Sequence, residues 1–162
     1  VIESMTDDVR LAVPADEDKI VSMIRLLHDE NGLFPLSERK VRDYMQRFFR
    51  KEGALIGVVG PIGDPVGSIY LEIGQPYYSE TWYLNEAWNF VHPDHRRSDY
   101  AKQLLAWAKK MSSDMHLPLM IGIVSNHRTE AKVRLYEKQL EKAGAFFVWN
   151  REFAGPCAWD NH

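Results

Sequence analysis

Val91–Leu105, VHPDHRRSDYAKQLL, is the stretch on which the reading of this chain turns. An apolar run ends at Val91, a proline turn follows, and Arg96-Arg97-Ser98 leads into a helical pattern. From Tyr100, the residues Ala101, Leu104, Leu105, Ala108 and Met111 recur at helical spacing, which predicts a helix over Tyr100–Met111. A strand that enters a helix through so short a turn aims several unpaired backbone N–H groups in one direction. The helix dipole adds about half a positive charge at the same end. The guanidinium groups of Arg96 and Arg97 and the hydroxyl of Ser98 are further donors suited to phosphate oxygens. The physics describes an anion seat; the competing reading is a solvated basic turn that only closes the strand.

Working outward, Trp82–Val91 reads as a long strand before the seat and Leu119–Val124, introduced by Pro118, as a compact strand after the helix. Upstream, Asp8–Val13 alternates and stops at Pro14. A helix follows from its expected N-cap Asp16 to the Asn31-Gly32 stop, and a second one follows Ser37. Between them Gly32–Leu36 is a loop carrying Phe34. Ala54–Val59 and Val66–Ile73 form a hairpin around Pro61–Pro65, and Gly74–Thr81 is a turn with Tyr77 and Tyr78 side by side. Downstream, Thr129–Lys142 reads as the last helix, stopped at Gly144, and Ala145–Trp149 as the last strand. Hairpin-joined strands followed by a β-α-β-α-β half predict an α+β domain with a mixed sheet. We expect one domain over 1–150 and an irregular tail over 151–162.

Length and composition agree with that frame. A chain of 162 residues is about one domain's worth and is large enough to need no metal or disulfide staple. With 45% hydrophobic and 27% charged residues it is neither disordered nor collagen-like. No run reaches the roughly 18 apolar residues of a membrane span. The balance of 20 Lys+Arg against 23 Asp+Glu, a formal charge of −3, argues against general nucleic-acid coating. The lone Cys157 has no internal partner, and residues 1–10 lack the basic-then-apolar pattern of a signal peptide, so a cytoplasmic setting is expected.

VHPDHRRSDYAKQLL resembles the acetyl-CoA-binding segment of the GNAT superfamily of N-acetyltransferases. In that family the fourth strand ends in a V-x-P-x-x-R-like turn, and an (Arg/Gln)-x-x-Gly-x-(Gly/Ala) loop opens the third helix. Arg96 matches the first position and Ala101 the last, while Asp99 stands where the family has glycine. Aspartate is one of the few residues that tolerate a left-handed backbone there, with its N–H keeping its role and its carboxylate turned to solvent. The element order fits the family over roughly residues 8–150. The resemblance therefore implies a mostly antiparallel central sheet of six to seven strands flanked by about four helices. It also implies a cofactor site at Phe90, Val91, Arg96, Arg97, Ser98, Asp99, Tyr100 and Ala101, with Asn126 at the exit of the fifth strand. Pantetheine would lie between the splayed fourth and fifth strands, and an N–H near Phe90 or Val91 would hold the thioester oxygen. The Arg96–Ser98 form with Tyr100–Lys102 is similar to versions in phage-encoded members.

Two side chains stand out as acid and base. In strict alternation Glu86 shares a face with Trp82, Leu84, Trp88 and Phe90, whereas Asn85 and Asn89 lie on the other. An acid among aromatics is paired or has a raised pKa; alternatively a bulge turns it outward as a surface charge. By the resemblance it is the general base, which the chemistry needs, because an ammonium of pKa about 10.4 must lose a proton before it attacks. Leu135-Tyr136-Glu137-Lys138 resembles the family helix whose tyrosine protonates the leaving thiolate. The ten positions from Asn126 to Tyr136 and the eight from Tyr136 to Gly144 exceed the family spacing and suggest a helix about two turns longer. Without the resemblance, Tyr136 joins Val133, Leu140 and Ala143 as a core stripe.

His92 and His95 at this spacing, with no cysteine or carboxylate cluster, fall short of a zinc site, so no metal is expected. Cys157 has no neighbouring histidine and is not read as a nucleophile. Phe34, Tyr77, Tyr78 and Asn89 are candidates for the acceptor's mouth. The reading is direct acetyl transfer from acetyl-CoA to a primary amine: a small amine, a protein amine or an aminated nucleobase. Its rival is a non-catalytic CoA-binding or interaction module on the same scaffold. A homodimer is suggested only by analogy with the superfamily.

Overall fold

A computed structural model describes residues 8–123 and 129–155 of the chain. Two compact units are present, one built from Val1–Ser22 and Arg39–Ile121, the other from Met23–Glu38 and Gly122–His162. In chain order the regular elements are β1 (Val9–Leu11), α1 (Glu17–Asn31), α2 (Glu38–Phe49), β2 (Ala54–Val59) and β3 (Gly67–Gly74). They continue with β4 (Tyr83–Val91), α3 (Tyr100–Met115), β5 (Leu119–Met120) and α4 (Thr129–Glu137). No helix among the described residues is long and apolar enough to cross a membrane.

The first unit holds a five-stranded sheet in the order β1-β2-β3-β4-β5. Three antiparallel pairings are followed by one parallel pairing, Leu84 with Leu119 and Asn85 with Met120. The expected α+β class with a mixed, mostly antiparallel sheet and four helices is found; the expected six to seven strands are not. Among the described residues the sheet has five. The expected strand Ala145–Trp149 is the one not found: its residues are exposed and pair with no strand among the described residues, with Phe146 and Phe147 at 84% and 95% exposure. Apolar alternation makes a segment competent to be a strand, but only a partner ladder makes it one.

One sheet face packs on α3. Val59, Ile69, Leu71 and Leu84 close on Leu104, Trp107 and Ala108 in a single apolar cluster. Gly57 is required there, because a Cβ would stand 2.8 Å from the Trp107 ring. On the opposite face Tyr44 of α2 lies over Tyr70 of β3, whose hydroxyl donates to the Tyr44 carbonyl at 2.8 Å.

Asp16 is fully buried just before α1, yet its carboxylate does not serve that helix as the expected N-cap acceptor. It receives Arg10 through both oxygens at 2.8 and 2.9 Å, the Val13 N–H at 2.8 Å and the Gly63 N–H at 2.8 Å. Gly63 adopts φ +83, a left-handed conformation that suits glycine and aims its N–H inward. The β2–β3 turn, β1 and the entry to α1 are thus tied at one ion.

In the second unit, Arg25 pairs with Glu38. Lys132 of α4 donates to Asn31 Oδ1 at 2.7 Å. Arg151 donates to the carbonyls of Gly32 and Leu33 at 3.0 and 3.1 Å, so the 3-10 turn Arg151–Ala154 in the tail secures the loop that carries Phe34.

Candidate active site

The anion seat begins where β4 ends. The His92 N–H donates to the Val66 carbonyl at 2.7 Å, and Pro93–His95 forms a 3-10 turn. Ser98 then donates twice to the His95 carbonyl, from its N–H at 3.1 Å and its hydroxyl at 2.6 Å, while its Oγ accepts the Tyr100 N–H at 3.3 Å. Its proton therefore closes the turn, and Ser98 is not the free phosphate donor the sequence suggested. Gln103 N–H returns to the Asp99 carbonyl at 3.0 Å and starts the helical ladder. Among the described residues, no acceptor meets the backbone N–H of Arg97, Asp99, Ala101 or Lys102. These unmet donors at the dipole's positive end, beside the exposed guanidinium groups of Arg96 and Arg97, fit a diphosphate.

Asp99 sits at φ −91, ψ 11, so the expected left-handed backbone is absent and aspartate replaces glycine without strain. Its carboxylate is not simply solvated either, because Oδ1 accepts from Gln103 Nε2 at 2.8 Å. Gln103 was not apparent as a site residue in the sequence; the i,i+4 spacing from Asp99 was its only signal. His92 Nδ1 accepts the Asp94 N–H at 3.1 Å, and among the described residues no group of three or more His, Cys, Asp or Glu side chains is placed to hold a metal.

Along β4 the alternation expected for Glu86 breaks. Tyr70 faces Trp88 and Leu71 faces Glu86, which leaves Ala87 as an extra, exposed residue in a bulge. Residues paired across antiparallel strands share a face. Glu86 therefore lies with Leu84 and Leu71 on the α3 side, and Trp88 and Phe90 lie on the other. Asn89, expected opposite Glu86, shares its face; Asn85 stays opposite, across from Glu72. Glu86 is half-buried, not turned out into solvent. Among the described residues, the last pair that joins β4 to β5 is Asn85 with Met120, immediately before Glu86 and the bulge. Phe90 and Val91, opposite Ser68 and Gly67, end β4 half-buried.

The face carrying Trp88 holds a polar-tipped aromatic group the sequence did not single out. Trp88 Nε1 donates to the buried Ser68 hydroxyl at 3.0 Å, and the Tyr70 and Trp88 ring centroids stand 4.6 Å apart. Burial pushes the Tyr70 phenol up to about 12, and Arg47 pairs with Glu72 nearby at 3.1 Å.

Tyr100 is half-buried and Ala101 exposed at the first turn of α3. Tyr77 is fully exposed, Tyr78 and Phe34 are exposed, and Asn126 lies outside the described residues. Tyr136 is half-buried in α4. That helix ends at Glu137, five residues before the expected Lys142, and the Tyr136 carbonyl accepts the N–H of Gln139 and Leu140 at 2.9 Å. The long spacing from Tyr136 to Gly144 is thus taken up by non-helical chain and not by extra helical turns.

The model of the Acetyltransferase (GNAT) family matches residues 20–141. Similar solved structures include an aminoglycoside 6'-N-acetyltransferase from Acinetobacter haemolyticus, at 14% identity and TM-score 0.65, covering 88% of this chain and 96% of that one. The ribosomal-protein-alanine N-acetyltransferase of Brucella melitensis biovar Abortus 2308 is 16% identical at TM-score 0.66, covering 88% and 97%. A possible acetyltransferase of Clostridium difficile 630 reaches TM-score 0.68 at 16% identity, covering 87% and 94%. No protein of curated function matches in sequence. At these identities the structural likeness carries the fold, and the family match carries the class of chemistry. The chain belongs to the GNAT family of acetyltransferases, enzymes that use acetyl-CoA as co-substrate.

Proposed function

We propose that this enzyme transfers the acetyl group of acetyl-CoA directly to a primary amine, with Glu86 as the general base and Tyr136 as the proton donor. When bound, acetyl-CoA supplies an activated thioester. The chain's own part is to bind, orient and move protons. The unmet N–H groups from Arg97 to Lys102, with Arg96 and Arg97, would hold the diphosphate. The end of β4 at Phe90 and Val91 would offer backbone donors to the pantetheine arm and the thioester oxygen. Asn126 would contribute from the exit of β5. Phe34, Tyr77, Tyr78 and Asn89 are proposed for the acceptor's side, and the acceptor's class is a primary amine on a small molecule, a protein or a nucleobase.

The observation that supports this reading most is the bulge at Ala87. It follows directly on the last β4–β5 pair among the described residues, Asn85 with Met120, and half-buried Glu86 stands between the two. A carboxylate there has one chemical use the reaction demands, removal of a proton from the attacking ammonium.

The test is turnover of acetyl-CoA by the purified protein against a panel of amines. Once an acceptor is found, Glu86→Gln is expected to lower kcat/KM about 100-fold near neutral pH, within the range for a lost general base. The deficit should shrink as pH rises toward the amine's own pKa, because the free amine then needs no base. Tyr136→Phe is expected to lower kcat about tenfold or more with little change in KM. A pH-independent deficit in Glu86→Gln, or full activity in either variant, removes that residue from the mechanism. Binding of CoA with no turnover of any amine returns the chain to the rival reading, a binding module.

A further inference from the structure

We propose that Gln103 is a positioning residue that holds the Asp99 carboxylate away from the N–H groups meant for the CoA diphosphate; this rests on reading the start of α3 as the CoA seat. Asp99 occupies the cap position of α3 yet makes no side-chain bond to that helix's own N–H groups. This departs from the ordinary behaviour of aspartate, which at a cap accepts from the N–H two or three residues on. Here those donors are Ala101 and Lys102, the same groups left unmet for a ligand. Instead, Asp99 Oδ1 accepts from Gln103 Nε2 at 2.8 Å.

The same amide nitrogen also donates to Asp8 Oδ2 at 3.2 Å, so both of its protons go to carboxylates. Gln103 is only 5% exposed, and its buried Oε1 has no hydrogen-bond partner among the described residues. The neighbours fix this orientation, since turning the amide would set Oε1 against two anionic oxygens. A buried amide oxygen without a partner is a standing cost. Holding Asp99 is what this residue provides in return. Without Gln103, the carboxylate is free to fold onto Ala101 and Lys102, where it both occupies the donors and opposes an incoming phosphate. The glycine of the family pattern is thereby replaced by two residues that must act together.

The test is a double-mutant cycle on the full chain, with the dissociation constant of CoA measured by calorimetry. Methionine keeps the length and helix propensity of glutamine but has no donor. Gln103→Met is expected to weaken CoA at least fivefold when Asp99 is present and less than twofold in the Asp99→Ala background. Hydrogen exchange at the Ala101 and Lys102 amides of the free protein should slow in Gln103→Met and return to the original rate in the double variant. Equal losses in both backgrounds, or unchanged exchange, assign Gln103 to helix packing alone and overturn the proposal. Should Gln103→Met fail to fold, Asp99→Ala decides by itself, because Asp99 is exposed. A change of less than threefold in CoA affinity supports a carboxylate already diverted, and a tightening of threefold or more overturns it. If the unaltered protein does not bind CoA, the reading of the seat fails, and the role of Gln103 with it.

Discussion

At the scale of single residues, the clearest case is Asp16. Burial alone would raise its pKa, but Arg10 and the N–H groups of Val13 and Gly63 outweigh burial and hold the carboxyl below its ordinary 3.8. A carboxylate held low in the native state contributes stability above the ordinary value and loses it as pH falls through the native one. Acid unfolding is therefore expected to have a component below about pH 4 that disappears in Asp16→Ala. That variant leaves Arg10 without its partner and is expected to cost about 3 kcal/mol at neutral pH, checked by urea denaturation. A loss below about 0.5 kcal/mol would mean that the three-way tie between β1, the α1 entry and the β2–β3 turn is not the hub described here. The sequence offered Asp16 as a helix cap, which is the local role. Its actual partners include Gly63, 47 positions away, and no window along the chain brings the two together.

At the scale of elements, β4 shows both what a sequence discloses and what it hides. Its bounds were legible from apolar alternation to within one residue, and so were those of β2 and α1 and the start of α2, because each has one face that must be buried. The bulge was not, because one extra residue leaves the composition of the strand unchanged while reversing every face on one side of it. For that reason Glu86 and Asn89 share a face despite their odd spacing. Deleting Ala87 is expected to restore continuous pairing with β3, with Glu86 still opposite Leu71 and Trp88 still opposite Tyr70, and to remove the bend that the bulge puts into β4 beside Glu86. Acetyl transfer should then fall at least 100-fold, while circular dichroism keeps its native form; retained activity in a folded deletion variant would detach the bulge from catalysis. The far end of the chain was less legible. Ala145–Trp149 has the look of a strand, and Thr129–Lys142 that of a long helix, but α4 ends at Glu137 and 145–149 pair with no strand among the described residues, because pairing and packing are not carried locally by the sequence.

For the whole molecule, charge sets the terms on which an anionic co-substrate is received. The chain carries a formal −3, yet Arg96, Arg97 and Lys102 fall at the start of α3, where backbone N–H groups are also unmet among the described residues. Attraction there is local and works against the net charge, so the backbone must supply much of the grip. This seat was the most legible feature of the sequence, because strand, turn and helix lie within fifteen consecutive residues. Its regulation by Gln103 was visible only as a spacing. The account stands on those few N–H groups receiving a diphosphate. The direct measurement is a titration of the isotope-labelled protein with coenzyme A, followed through its backbone amide resonances. The amides of Arg97, Asp99, Ala101 and Lys102 are expected to shift together and saturate, while those of the β2–β3 turn at Pro61–Pro65 hold still. Saturable binding that leaves these four amides unmoved would contradict the account.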